Sequence, residues 1–116
     1  MPALPAPISY PIRDPKLPEA RLDYRHSFTA ALLVDGVDVG DTIIPVSDAD
    51  PTKRPSVTVF KGDAVVDTLA LDTAAGKNDV VYWVSGGTKD TIFLVTVRTA
   101  QGRKLAVHTI LKIKTS

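Results

Sequence analysis

Between Arg21 and Phe28 the chain alternates, with Leu22, Tyr24, His26 and Phe28 on one parity and Arg21, Asp23, Arg25 and Ser27 on the other. A two-residue period predicts a strand with one wet face. Runs rich in β-branched and aromatic residues recur at Ser56 to Lys61, Ala64 to Leu71, Val80 to Val84, Thr91 to Thr99 and Lys104 to Lys114. Each predicts a strand, because such side chains suit a pleated, half-buried surface. Thr42 to Val46 reads as one more, demoted to an edge or bulge by Pro45. Turn residues separate the runs: Asp35-Gly36, Gly40-Asp41, the polar stretch SDADPTKRP, Gly62-Asp63, Ser85-Gly86-Gly87-Thr88 and Ala100-Gln101-Gly102-Arg103. Gly62-Asp63 predicts a two-residue hairpin, and the last two breaks predict three successive antiparallel strands.

Seven strands at even spacing, with no segment of 3.6-residue apolar period, predict an all-β chain: an antiparallel β-sandwich of immunoglobulin type. A small barrel is the other architecture of this size. An OB-fold needs exposed aromatics interleaved with basic residues on its nucleic-acid face, and the seven aromatics here sit mostly at core parity.

Two strands are apolar on both parities. Val80, Tyr82 and Val84 oppose Val81 and Trp83, while Phe93, Val95 and Val97 oppose Ile92 and Leu94. One sheet of a two-layer sandwich has a single face on the core, so the second apolar face is either covered or exposed. Trp83, Ile92 and Leu94 are therefore candidate partner-binding residues, on faces covered by the N-terminal arm or by a neighbouring subunit, alongside the reading that they are central-strand positions shielded by loops.

Six of the nine prolines fall in the first eighteen residues. They fix φ and remove backbone donors, which predicts an extended, polyproline-like arm over 1–19 preceding a sandwich over 20–116. The arm carries Leu4, Ile8, Tyr10, Ile12 and Leu17, so it has apolar surface to dock. Ile8, Tyr10 and Ile12 are its candidate contact residues, with a loose terminal tail as the plainer alternative.

At 116 residues the chain is long enough for one core without staples, and it has no cysteine. A net charge of +1, from fourteen basic and thirteen acidic side chains, argues against a nucleic-acid partner. No run of eighteen apolar residues predicts a membrane span, and the N-terminus lacks the pattern of a signal peptide. His26 and His108 have no ligand partner at metal spacing, and Ser85-Gly86-Gly87 lacks the nucleophile elbow of a hydrolase. The aspartates at 35, 38, 41, 48 and 50 read as turn formers or as a weak calcium cluster, with Glu19 the sole glutamate. No catalytic set, metal site or cofactor is predicted. The basic residues Arg98, Arg103, Lys104, Lys112 and Lys114 read as a solvated strand face or as a partner-facing patch.

Leu22-Asp23-Tyr24, Gly40-Asp41-Thr42-Ile43, Tyr82-Trp83-Val84-Ser85-Gly86-Gly87-Thr88, Phe93 to Arg98, Ala100-Gln101-Gly102-Arg103 and Leu111-Lys112-Ile113 together resemble a family of small immunoglobulin-like proteins of tailed bacteriophages, the fiber-tail adaptors. The likeness spans residues 20–115 and carries no catalytic motif. It departs from the family pattern in the long proline-rich arm and in SDADPTKRPSVTVFKGD, which replaces a compact strand. The resemblance implies a non-enzymatic structural virion protein connecting tail fibers to the tail or head-tail assembly. It implies assembly in the host cytoplasm and residence in the virion tail. Its implied partners are other tail proteins, namely a tail adaptor or nozzle and the tail fiber, with multiple copies in a ring or around the tail. A stand-alone carbohydrate-binding or adhesion module is the alternative from a different class.

Overall fold

The computed structural model describes residues 8–12 and 16–113. Seven strands run in the order β1 (Ile8–Pro11), β2 (Leu22–Ser27), β3 (Ser56–Lys61), β4 (Val65–Asp72), β5 (Asp79–Ser85), β6 (Thr91–Arg98) and β7 (Lys104–Leu111). They form a four-stranded sheet, ordered β1-β7-β6-β3, and a three-stranded sheet, ordered β2-β5-β4. All neighbours are antiparallel except β1 and β7. Strands 1, 7, 6 and 3 on one layer and 2, 5 and 4 on the other give the immunoglobulin-type β-sandwich predicted by the strand count.

The core follows from strand alternation. Val80, Tyr82 and Val84 of β5 face Phe93, Val95 and Val97 of β6 and Val107 and Leu111 of β7, all of them buried. Tyr82 is the largest buried side chain in this layer, and its ring meets Phe93 at 5.6 Å between centroids. Its hydroxyl is satisfied by the Thr109 hydroxyl at 2.8 Å. Burial pushes the Tyr82 phenol up to about 12, against the smaller pull of that hydrogen bond. The phenol is thus locked neutral in the middle of the sandwich.

Six of the predicted strands are present, with ends displaced by at most three residues; Lys114 lies outside the described residues. Thr42 to Val46 is not a strand. Ile43 makes a single bridge to Thr99 and the Ile44 amide donates to the Arg98 carbonyl at 2.9 Å, after which Pro45 has no N–H to continue the ladder. The connection from β2 instead opens with a one-turn helix α1 (Thr29–Leu32) that buries Leu32.

Gly62-Asp63 is not a hairpin, because β3 pairs with β6 whereas β4 pairs with β5. The corner carries the chain from one sheet to the other. Gly62 has φ +115, and a Cβ there would sit 2.4 Å from Thr91 Oγ1 and 2.7 Å from the Asp90 carbonyl, so the crossing needs glycine for both conformation and room. Asp63 closes the corner by accepting from the Thr88 and Lys89 amides at 2.9 and 3.2 Å. Ser85-Gly86-Gly87-Thr88 is likewise a crossing between sheets, so of the three successive strands expected over the last part of the chain, β6 and β7 alone form a hairpin. Turn chemistry reports that the chain reverses; which sheet receives it is decided by the burial of both strands at once.

The arm supplies a strand that its prolines hide. Ile8–Pro11 adds to the outer edge of β7 in parallel, with Ile8 opposite Val107 and Pro11 opposite Ile110. The Ile12 amide then donates to the Ile110 carbonyl at 2.7 Å, and the Lys16 amide to the Lys112 carbonyl at 2.9 Å. Proline is admissible here because an outermost strand has one unpaired side.

Candidate docking surfaces

Among the described residues, apolar groups are exposed beside the candidate residues at three places. The first is the edge where β1 and β2 face each other across the open side of the sandwich. Tyr10 of β1 meets His26 of β2 with ring centroids 4.7 Å apart, and His26 in turn meets buried Phe28 edge-on at 4.9 Å. Ile12 is half-buried and packs on the core cluster. Burial pulls the His26 pKa below its usual 6.5, with Asp79 opposing the shift, so a neutral imidazole fits this stack best. An open cleft of about 270 Å³ lies between these two edges, lined by Tyr10, Ile12, Tyr24, His26, Tyr82 and Thr109.

The outer face of the four-stranded sheet is the second. Ile92 and Leu94 stand there half-buried, opposite Ile110 and His108 of β7 and opposite Lys61 and Thr58 of β3. The register of β3 shifts between Val59 and Lys61, a bulge that sets Phe60 free of the ladder. Phe60 is 63% exposed, yet its ring comes within 4.7 Å of the His108 ring. β3 and β7 both flank β6, so the Phe60 ring lies across β6 on the side where Ile92 and Leu94 stand.

Third is the outer face of the three-stranded sheet, where Trp83 is half-buried among Asp23 of β2 and Thr68 of β4. The Arg21 guanidinium covers the indole at 4.5 Å from its centroid and forks onto Asp67 at 2.7 and 3.0 Å. The guanidinium hydrogen bond to Asp67 holds that carboxyl below the usual carboxylate range. On the same face Arg25 bridges Asp72 and Asp79 at 3.3 and 3.0 Å.

Of the six residues picked from the sequence, Ile92 and Leu94 share one surface, Tyr10 and Ile12 share the β1 edge, and Trp83 is on the opposite outer face. Ile8 is placed by its backbone pairing with Val107, and Leu4 lies outside the described residues. Within the described residues the arm extends the four-stranded sheet and lies over neither outer face. Sequence reasoning missed Phe60, whose exposure depends on the bulge, and it missed Lys16, a fully buried cation. Lys16 Nζ donates to the Gly86, Leu17 and Pro18 carbonyls at 2.6, 2.7 and 3.2 Å.

Among the described residues, no three His, Asp or Glu side chains converge in a manner that could hold a metal ion. Asp38, Asp48, Asp50 and Asp72 accept from amides two residues ahead, the turn-forming pattern of short acidic side chains. A second open groove, of about 550 Å³, runs past Ile43, Val46, Leu71 and Asn78. No helix among the described residues is long and apolar enough to cross a membrane. The sequence matches no protein-family model and no curated protein.

Proposed function

We propose that this chain is a structural component of a tailed bacteriophage virion, an adaptor that connects tail fibers to the tail or head-tail assembly. The observation that carries the reading is the outer face of the four-stranded sheet, where exposed Phe60 and half-buried Ile92, Leu94 and Ile110 present an apolar centre on an open sheet face instead of in a pocket. Exposed apolar patches mark protein contacts, whereas small-molecule sites are concave. The adaptor resemblance of residues 20–115 supports the virion context. The role involves no reaction: the sandwich supplies stiffness and the faces supply area.

Sugar binding by an adhesion module would use aromatic rings with free faces in a polar groove. Trp83 has one face under Arg21, and Phe60 spends part of its ring on His108, which weighs against that alternative. The deciding experiment mixes the purified chain with the fiber and tail proteins encoded beside its gene and follows co-elution by size-exclusion chromatography with light scattering. Co-elution that is lost on Phe60→Asp is expected. Absence of any complex together with a positive glycan array would overturn the adaptor reading.

A further inference from the structure

The two outer faces of the sandwich differ in charge. On the four-stranded sheet, strand alternation sets Lys61, Arg98, Lys104 and Lys112 around Ile92, Leu94, Ile110 and Phe60. All four cations are exposed, and none is ion-paired among the described residues. Arg98 and Lys104 stand directly opposite each other in the β6–β7 register, a like-charge pairing that costs stability in an isolated sheet. Asp90, at the start of β6, is engaged with the Ile113 amide at 3.0 Å.

The three-stranded sheet is close to balanced, with four aspartates against three cations on or beside its outer face. Its outer face holds Asp23, Asp67, Asp72 and Asp79 with Arg21 and Arg25, and Lys77 reaches Asp72 from one end at 3.9 Å. Asp72 and Asp79 face each other in register, bridged by Arg25. Asp23, beside Trp83, has no ion pair among the described residues.

From this asymmetry we infer that copies of this chain associate face to back: the cation-rimmed outer face of the four-stranded sheet seats on the aspartate-bearing outer face of the three-stranded sheet of the next copy. Pairing of two cationic faces is opposed by their own charge, so a two-fold dimer through that face is disfavoured. A contact between unlike faces is directional and repeats, closing into a ring or continuing as a filament. The three-stranded face, with strands of six to eight residues, limits the contact to about 27 Å by about 10 Å between strand axes, or about 270 Å². That is about a third of what each partner contributes to a standard interface. Each contact is therefore weak by itself and gains from repetition and tethering. The inference goes beyond the adaptor reading and needs only the two faces.

Sedimentation velocity of the full chain from about 10 µM to about 1 mM, in about 20 mM and about 500 mM salt, tests it. The expected result is a mass that climbs with concentration at low salt and returns to the monomer at high salt, because exposed charges are screened. Arg98→Glu with Lys104→Glu cancels the charge of one face and Asp23→Lys removes the acidic excess of the other. Each variant alone is expected to weaken association about tenfold, and mixing the two restores it, since each supplies the face the other needs. Carbodiimide coupling of isotope-mixed protein should join Asp23 of one copy to Lys61 or Lys104 of another. A single monomeric species at every concentration and both salts, association indifferent to the charge reversals, or cross-links between like faces would overturn the inference. A monomer that still co-elutes with tail proteins ends this inference and leaves the adaptor reading standing; self-association without tail-protein binding does the opposite.

Discussion

Two segments outside the central strands are each fastened to the sandwich by one buried charge, Lys16 for the arm and Asp41 for the connection between β2 and β3. Both side chains are excluded from solvent. Lys16 is satisfied by three backbone carbonyls, and no carboxylate touches it among the described residues. Asp41 accepts from the Thr42 and Gln101 amides at 3.0 Å each and from Arg103 Nε at 2.9 Å, and Arg103 goes on to the Leu32 carbonyl at 2.6 Å. The outcomes differ in sign. Burial lowers the Lys16 pKa from 10.5 and distant Glu19 recovers part of the shift, so the fold disfavours this charge. At Asp41 burial also opposes the charge, but donors from Thr99, Gln101, Arg103 and Thr42 outweigh it and hold the carboxyl below 3.8. Carbonyl dipoles supply hydrogen-bond geometry; a guanidinium supplies geometry and a countercharge.

The largest effect expected is at Lys16. Lys16→Met keeps the volume and strips a donor from three carbonyls, which should cost about 2–4 kcal/mol in urea unfolding. Exchange of the Lys16 amide should speed up as well, since the ammonium ties Lys16 to the β5–β6 crossing. A Met variant as stable as the parent would mean that desolvating the ammonium cancels its hydrogen bonds. The pH dependence supplies the sign: with the folded pKa below 10.5, the unfolded state binds more protons in that window, so wild-type stability rises with pH up to about 10.5. Lys16→Met should lose that rise.

Six strands were legible because alternation and β-branched runs are local signals, as in Leu22–Ser27 and Thr91–Arg98. What escaped depends on pairs distant in sequence. Lys16 and Gly86 are seventy positions apart, so a lysine in a proline-rich arm gives no sign that three carbonyls surround it. Asp41 reads as a turn aspartate beside Gly40, and only its meeting with the β6–β7 turn makes it a hub. The strand at Ile8–Pro11 was masked because proline argues against a ladder, and an outermost parallel strand relaxes that objection. Trp83, Ile92 and Leu94 stand out in the sequence by the apolar excess of two-sided strands, a signal that does not say which sheet each face belongs to.

Asp41→Asn should be milder, because the amide oxygen still accepts from the same donors while Arg103 loses its countercharge. The diagnostic is again pH. A depressed carboxyl contributes stability that is fully present above its unfolded value of 3.8 and is lost as pH falls through the lower folded value. Asp63, Asp67 and Asp72 share that direction, so the difference between parent and variant isolates Asp41. Unfolding curves should converge below pH 3.8 and separate above it. A constant gap at all pH would assign Asp41 a packing role and dissolve the contrast with Lys16.

The smallest effect is expected where the arm meets an uncharged anchor. Tyr10→Ala removes the Tyr10–His26 contact, an aromatic pair worth about 0.5–1.5 kcal/mol. Burial holds the folded pKa of His26 below 6.5, so its contribution is present above 6.5 and is lost as pH falls through the lowered value. With Tyr10 gone, His26 is more hydrated and should titrate closer to 6.5 in NMR, while Asp79 and Arg25 on neighbouring positions are unchanged. The Ile12 amide, which donates to Ile110, should exchange faster in the variant and, in the parent, faster below the His26 pKa than above it. If the His26 titration is the same in both proteins, Tyr10 contributes nothing to burying the imidazole. The arm is then held by Lys16 and the β7 ladder alone, and the charged anchor carries the whole contrast.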